Sequence, residues 1–129
     1  MIRWEPLAAA PVPGGGELRL LRRGTEYSIM ADGGVELMNS RLSGSEEALA
    51  TLTAERLADR RAPRVLIGGL GMGFTLRAAQ AAYGPRATLV VAEIEAAVIA
   101  WARGPLGPVF GDCLDDPRVE VREGDVAAL

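Results

Sequence analysis

Three glycines, Gly69, Gly71 and Gly73, lie between an apolar run at 65–67 and a predicted helix. Glycine permits the tight turn that joins a strand to a helix, and it lets a ligand approach the backbone closely. The free N–H groups at the start of a helix favour an anionic ligand group. A glycine cluster can also be a tight connection and nothing more, so a second feature is needed to indicate a site.

Glu93 supplies that second feature. It lies 20 residues after Gly73, at the end of a predicted strand over 88–92. A carboxylate there suits hydrogen bonds from both hydroxyls of a ribose, although an acid at this place can also be a solvated loop residue. The dinucleotide fingerprint G-x-G-x-x-G requires a third glycine where this chain has Phe74. The spacing therefore favours a mononucleoside ligand such as S-adenosylmethionine over NAD.

Asp125 is a third candidate, because it follows Gly124 directly after a predicted strand at 118–122. Its carboxylate could accept a hydrogen bond from the amino group of an adenine. Gly-Asp is also ordinary turn chemistry, and the sequence leaves both interpretations open.

The elements that must position these residues alternate between strand and helix. Short apolar or alternating runs predict strands at 65–67, 88–92 and 118–122, with helices predicted at 75–83 and 95–103. Such alternation predicts a parallel sheet with right-handed crossovers, here the first half of a doubly wound, Rossmann-like α/β fold. The strand at 65–67 would be an unprotected edge, so we expect a fragment of a longer protein or pairing with another chain.

The preceding residues have a different character. Proline and glycine predict a loop over 1–16, and short alternating runs predict a three-stranded antiparallel meander over 17–38. A helix is predicted at 44–60, started by Ser43 with Glu46 as a capping box. Its predicted apolar face consists of Ala48, Leu49, Leu52 and Leu57, with Ala54 as a further candidate. We therefore divide the chain into a β-rich segment with a helix at 1–63 and a truncated nucleoside-binding domain at 64–129.

Composition excludes several classes of function. The 129 residues include no histidine, so a Ser-His-Asp triad and a histidine-ligated metal are excluded. The single cysteine, Cys113, is expected to be inert because Asp112, Asp115 and Asp116 would raise its pKa. We interpret these acids as a turn and expect no metal. The net charge of -3 argues against a nucleic-acid partner, and the absence of a membrane span or signal peptide favours the cytoplasm.

Three segments resemble the spermidine synthases. VLIGGLGMGFTLR at 65–77 resembles that family's glycine motif, and AEIEAAVI at 92–99 resembles its second strand and the helix after it. LDDPRV at 114–119, which leads to Gly124 and Asp125, resembles the family's third strand region. The resemblance implies a class I S-adenosylmethionine-type fold and a place in polyamine biosynthesis. Family members transfer an aminopropyl group from decarboxylated S-adenosylmethionine to a diamine such as putrescine, releasing methylthioadenosine.

By the same resemblance, the three glycines Gly69, Gly71 and Gly73 would line the site of the sulfonium donor, which acts as co-substrate. Glu93 would hold the ribose and Asp125 the adenine. No catalytic residue can be assigned, because the family's catalytic aspartate follows a fourth strand that would lie beyond Leu129. The implied partner is a small-molecule acceptor, a polyamine among the candidates, with no membrane partner, and a homo-oligomer stays open.

Two departures from the family keep alternatives open. Where the family's glycine motif carries an aspartate that helps to hold the donor's amine, this chain has Met72. The helix region at 45–52 also lacks the family's tyrosine and histidine near the polyamine site. An S-adenosylmethionine-dependent methyltransferase on the same fold is therefore an alternative, and a non-catalytic nucleoside-binding or assembly module is another.

Overall fold

The structure is a computed structural model that describes residues 2–41 and 44–128, without the side chain of residue 45. The chain divides into two compact units, Met1–Leu42 and Ser43–Leu129. The predicted helix cap at Ser43 lies outside the described residues. The division into two domains between residues 63 and 64 stays a prediction. The boundary between the two compact units falls between residues 42 and 43 of the chain.

The first unit is an antiparallel sheet of four strands in the order β1-β2-β3-β4. The strands are β1 (Glu5–Pro11), β2 (Glu17–Arg23), β3 (Glu26–Ala31) and β4 (Val35–Asn39). The side chains of Leu20 and Ile29, which are paired across β2 and β3, are fully buried.

The three antiparallel strands predicted over 17–38 are confirmed as β2, β3 and β4. The loop predicted over 1–16 was wrong, because β1 lies within that range. Pro6 and Pro11 misled the interpretation, since proline cannot donate to a sheet. β1 is an edge strand that pairs with β2 alone, and an edge tolerates proline. The pairing also shifts in register between Pro6 and Ala8.

The second unit contains three parallel strands in the order β5-β6-β7, which confirms the predicted partial Rossmann-like α/β fold. The strands are β5 (Arg64–Gly68), β6 (Thr88–Glu93) and β7 (Val119–Glu123). The helices are α1 (Gly44–Arg56), α2 (Phe74–Ala82), α3 (Ala96–Ala102) and α4 (Gly107–Phe110). The short α4 lies between the helix predicted at 95–103 and the strand predicted at 118–122.

The two outer positions of the parallel sheet differ from its centre in burial. β6 pairs on both sides and is buried from Leu89 to Glu93. β5 is an edge of the described sheet, as predicted, and Leu66 on it is 49% exposed. The site residues follow the carboxyl ends of these strands, so the sheet fixes their spacing.

The apolar face predicted for α1 was wrong in part: Leu57 is half-buried just beyond the helix, but Ala48 is exposed. Leu49 and Leu52 are exposed, whereas Ala50 is buried, and the helix packs against α2. Ala50, Ala54 and Leu57 follow helical spacing, and small side chains allow two helices to approach closely. Large leucines on the other face therefore misdirected a pattern based on hydrophobicity.

Within the described residues, no helix is long and apolar enough to cross a membrane.

Candidate functional site

The glycine turn joins the end of β5 to the start of α2. Gly69, Gly71 and Gly73 have φ angles of +100°, +52° and +79°, a region that residues with a Cβ atom rarely occupy. The turn is closed by a hydrogen bond of 2.8 Å from the N–H of Gly73 to the carbonyl of Leu70. The backbone conformation explains why this segment is rich in glycine.

Gly73 is also required for packing. A Cβ atom at this position would lie 2.7 Å from Cε2 of Phe110, a residue of α4 whose side chain is buried. A Cβ atom at Gly69 would meet nothing within 4 Å. The two glycines therefore have different reasons for being present: one lies against an aromatic ring, and the other faces open space.

Glu93 contacts the glycine turn directly. Its Oε1 accepts a hydrogen bond of 2.9 Å from the N–H of Leu70, and its Oε2 accepts one of 3.0 Å from the N–H of Glu95. The side chain is only 7% exposed, so these bonds hold the carboxylate in a fixed position. Each carboxylate oxygen has about two lone-pair sites, which leaves acceptor capacity for hydroxyl donors of a ligand.

Backbone hydrogen bonds link the three strand ends. The N–H of Gly69 donates to the carbonyl of Ala92 at 2.7 Å, and the N–H of Gly124 donates to the carbonyl of Glu93 at 2.8 Å. In the parallel register, Gly68 lies beside Ala92. The structure therefore brings the glycine turn and Glu93 together at the carboxyl edge of the sheet, where ligands of open α/β sheets bind.

Asp125 lies at the same edge, after β7. Its side chain is exposed, and its Oδ1 accepts a hydrogen bond of 2.9 Å from the N–H of Ala127. This contact starts the 3-10 turn Val126–Ala128, so Asp125 has the turn chemistry that the sequence left open. Val126 lies near Gly68: a Cβ atom added at Gly68 would be 3.6 Å from Cγ2 of Val126. The adenine contact of Asp125 stays a prediction.

Sequence reasoning missed two groups that shape this edge. The N–H of Leu70 binds Glu93, but any non-proline residue offers such a donor, so the sequence carries no signal for it. Arg77, one turn into α2, donates hydrogen bonds to three backbone carbonyls around the glycine turn, those of Met72, Gly73 and Val109. The only available signal is its spacing of four residues from Gly73. The Met72 side chain itself is buried.

The acidic segment before β7 has a structural role. Arg118 binds Asp116 at 2.8 Å and lowers the pKa of that carboxyl to about 2. Gln80 donates to Asp116 and to the carbonyl of Cys113. Within residues 2–41 and 44–128, no group of three or more His, Cys, Asp or Glu side chains could hold a metal ion.

The Cys113 thiol is buried, and burial is the largest cause of its raised pKa. Asp112 and Asp115 raise it further, whereas Arg77 lowers it. The expected direction of the shift is therefore confirmed, but the predicted cause is secondary. A buried thiol with a raised pKa is a poor nucleophile at neutral pH.

No protein-family model matches the sequence, and no curated protein sequence matches it significantly. Solved structures do match its fold. Spermidine synthase from Thermotoga maritima aligns with a TM-score of 0.73 and 21% identity over 95% of this chain and 42% of that one. A spermidine synthase in complex with the transition-state analogue AdoDATO aligns with a TM-score of 0.70 and 18% identity, over 95% of this chain and 42% of that one.

A probable spermidine synthase from Corynebacterium glutamicum ATCC 13032 aligns with a TM-score of 0.52 and 18% identity, over 92% of this chain and 45% of that one. The chain thus spans less than half the length of each of these structures. At sequence identities this low, the structural alignments show a shared fold and nothing more. The chain shares the fold of the N-terminal part of spermidine synthase structures.

Proposed function

We propose that the glycine turn and Glu93 form the donor site of a spermidine synthase-like transferase. The donor is S-adenosylmethionine or its decarboxylated form, used as a co-substrate. The observation that carries the proposal is the hydrogen bond of 2.9 Å from the N–H of Leu70 to Oε1 of Glu93. It holds an acceptor for ribose hydroxyls beside a turn in which glycine exposes the backbone.

The proposal gives each residue a distinct role. Gly69 and Gly71, with Gly73 behind them, allow the backbone to approach the sulfonium part of the donor. Glu93 accepts hydrogen bonds from the ribose, using the lone pairs that Leu70 and Glu95 leave free. Asp125, exposed at the end of β7, accepts a hydrogen bond from the adenine amino group. In support, one of the structures with this fold holds the transition-state analogue AdoDATO.

The reaction would be a nucleophilic displacement. An amine of the acceptor attacks the carbon attached to the sulfonium, the new C–N bond forms as the C–S bond breaks, and methylthioadenosine leaves as a neutral thioether. The nitrogen then loses a proton. Catalysis of this type rests on holding the nucleophile in line with the C–S bond. The acceptor is a small molecule, with a polyamine as our proposal, and the compartment we propose is the cytoplasm.

A methyltransferase is the second candidate, and Met72 is the residue that favours it. The Met72 side chain is 3% exposed and uncharged, so this position supplies no carboxylate for the amine of a decarboxylated donor. The intact donor, which a methyl transfer uses, carries a carboxylate beside the same amine, and an acid at this position would repel that carboxylate. The two reactions therefore predict opposite preferences between the intact and the decarboxylated donor.

Calorimetric titration of the chain with four ligands tests the proposal. We expect binding of methylthioadenosine, S-adenosylmethionine and the decarboxylated form, and no binding of NAD. A ligand at 100 times its Kd should also stabilise the fold by about 2.7 kcal/mol. Tighter binding of the decarboxylated donor supports aminopropyl transfer, and tighter binding of the intact donor supports methyl transfer. Binding of NAD alone, or of none of the four, would contradict the proposal.

A further inference from the structure

Arg77 donates three side-chain hydrogen bonds to backbone carbonyls at and beside the glycine turn. Its Nη1 donates to the carbonyl of Val109 at 2.9 Å, its Nη2 to that of Met72 at 3.1 Å, and its Nε to that of Gly73 at 3.2 Å. The guanidinium carbon also lies 5.0 Å from the centre of the Phe74 ring. One side chain thus ties the last two residues of the turn to the segment of α4.

The position of Arg77 indicates what these contacts do. The carbonyl of Gly73 also accepts the backbone N–H of Arg77 at 2.9 Å, as the first hydrogen bond of α2. Carbonyls at the start of a helix point along its axis, whereas the free N–H groups point the other way, toward a bound ligand. Arg77 binds carbonyl groups only, because a guanidinium has no acceptor, so it does not compete with the proposed ligand for the N–H groups at the start of α2.

We propose that Arg77 is a positioning residue of the donor site. By fixing the carbonyls of Met72 and Gly73, it keeps the turn in the shape that places the N–H of Leu70 on Glu93. A planar guanidinium with five donors can serve three carbonyls at once, and a lysine ammonium at the same place cannot match that geometry. The ligand readout of this inference rests on the proposed function.

Arg118, which directly precedes β7, offers a control at the other end of α2. It also donates to three backbone carbonyls, those of Gln80 at 3.0 Å, Tyr83 at 2.8 Å and Gly84 at 3.2 Å. These carbonyls lie at the end of α2, whereas those bound by Arg77 lie at its start. Arg118→Lys therefore disturbs three backbone contacts of the same kind, together with the ion pair to Asp116, without touching the glycine turn.

The experiment compares Arg77→Lys with Arg118→Lys at a temperature where urea titration shows both to be folded. Calorimetry gives the Kd for methylthioadenosine, and amide hydrogen exchange of the ligand-free chain gives the protection of the Gly73 N–H. We expect Arg77→Lys to raise the Kd and the exchange rate, each by about tenfold or more, because small displacements in a site weaken function steeply. Arg118→Lys should leave both within about twofold.

Two results would overturn the inference. One is that Arg118→Lys weakens binding and protection as much as Arg77→Lys, which would make both effects a matter of general stability. The other is that Arg77→Lys changes neither quantity. If the unmodified chain does not bind methylthioadenosine, the proposed function fails, while hydrogen exchange at Gly73 still decides whether Arg77 holds the turn.

Discussion

Substituting Gly73 by alanine should destabilise the chain for two separable reasons. The first is backbone strain, since a φ of +79° in a residue with a Cβ atom costs about 1–2 kcal/mol. The second is overlap, because the new Cβ would lie 2.7, 3.1 and 3.3 Å from three ring atoms of Phe110. That ring is 3% exposed, and overpacking of this kind costs about 1–3 kcal/mol. We expect a total loss of about 3 kcal/mol.

Two further glycines separate these causes. Gly69 has a φ of +100° and no atom within 4 Å of an added Cβ, so Gly69→Ala should cost only the backbone strain of about 1–2 kcal/mol. At Gly84 the φ is ordinary and nothing lies within 4 Å of an added Cβ. Gly84→Ala should therefore be nearly neutral, or slightly stabilising because the unfolded chain loses freedom.

Urea titration of the three variants and the unmodified chain measures the series. The predicted order of destabilisation is Gly73→Ala first, Gly69→Ala second and Gly84→Ala last. If Gly73→Ala were no more destabilising than Gly69→Ala, the contact with Phe110 would not constrain the turn, and our explanation for the glycine at 73 would be wrong.

The remaining predictions concern groups outside the glycine turn. Asp116→Asn should reduce stability at pH 7, and the difference should shrink as the pH falls below about 5 and disappear below about 2. The pKa of Asp116 in the folded chain, about 2, lies below its ordinary value of 3.8. The ionised carboxylate therefore stabilises the fold above pH 3.8, and this stabilisation is lost when the carboxyl is protonated. Urea titrations in which the stability difference between the two chains stays constant with pH would refute this. The Cys113 thiol is buried with a raised pKa, so iodoacetamide should alkylate it far more slowly in the folded chain than in urea. Equal rates would contradict its burial.

The part of the site that the sequence predicted is the part that local patterns encode. Gly69, Gly71 and Gly73 mark a turn because no other residue readily takes positive φ. Glu93 could be placed beside them because carboxyl ends of parallel strands meet at one edge. The parallel order of β5, β6 and β7 followed from alternating short strands and helices.

What the sequence did not predict depends on tertiary contacts. β1 contains Pro6 and Pro11, and prolines in a sequence indicate a loop. Only the sheet order shows that β1 is an edge strand, where proline is tolerated. The packed face of α1 was missed because Leu49 is exposed. The role of Arg77 depends on Val109, which lies 32 residues further along the chain. No local pattern relates positions so distant.

The most direct test of the central claim compares how tightly two variants, Glu93→Gln and Glu55→Gln, bind methylthioadenosine. Glu55 is an exposed acid on α1, so its variant makes the same chemical change away from the site. A hydrogen bond to a charged group contributes about 1.5–3 kcal/mol. Loss of the Glu93 carboxylate should therefore raise the Kd at least about tenfold. Glu55→Gln should bind as the unmodified chain does, and equal affinities for both folded variants would contradict the account.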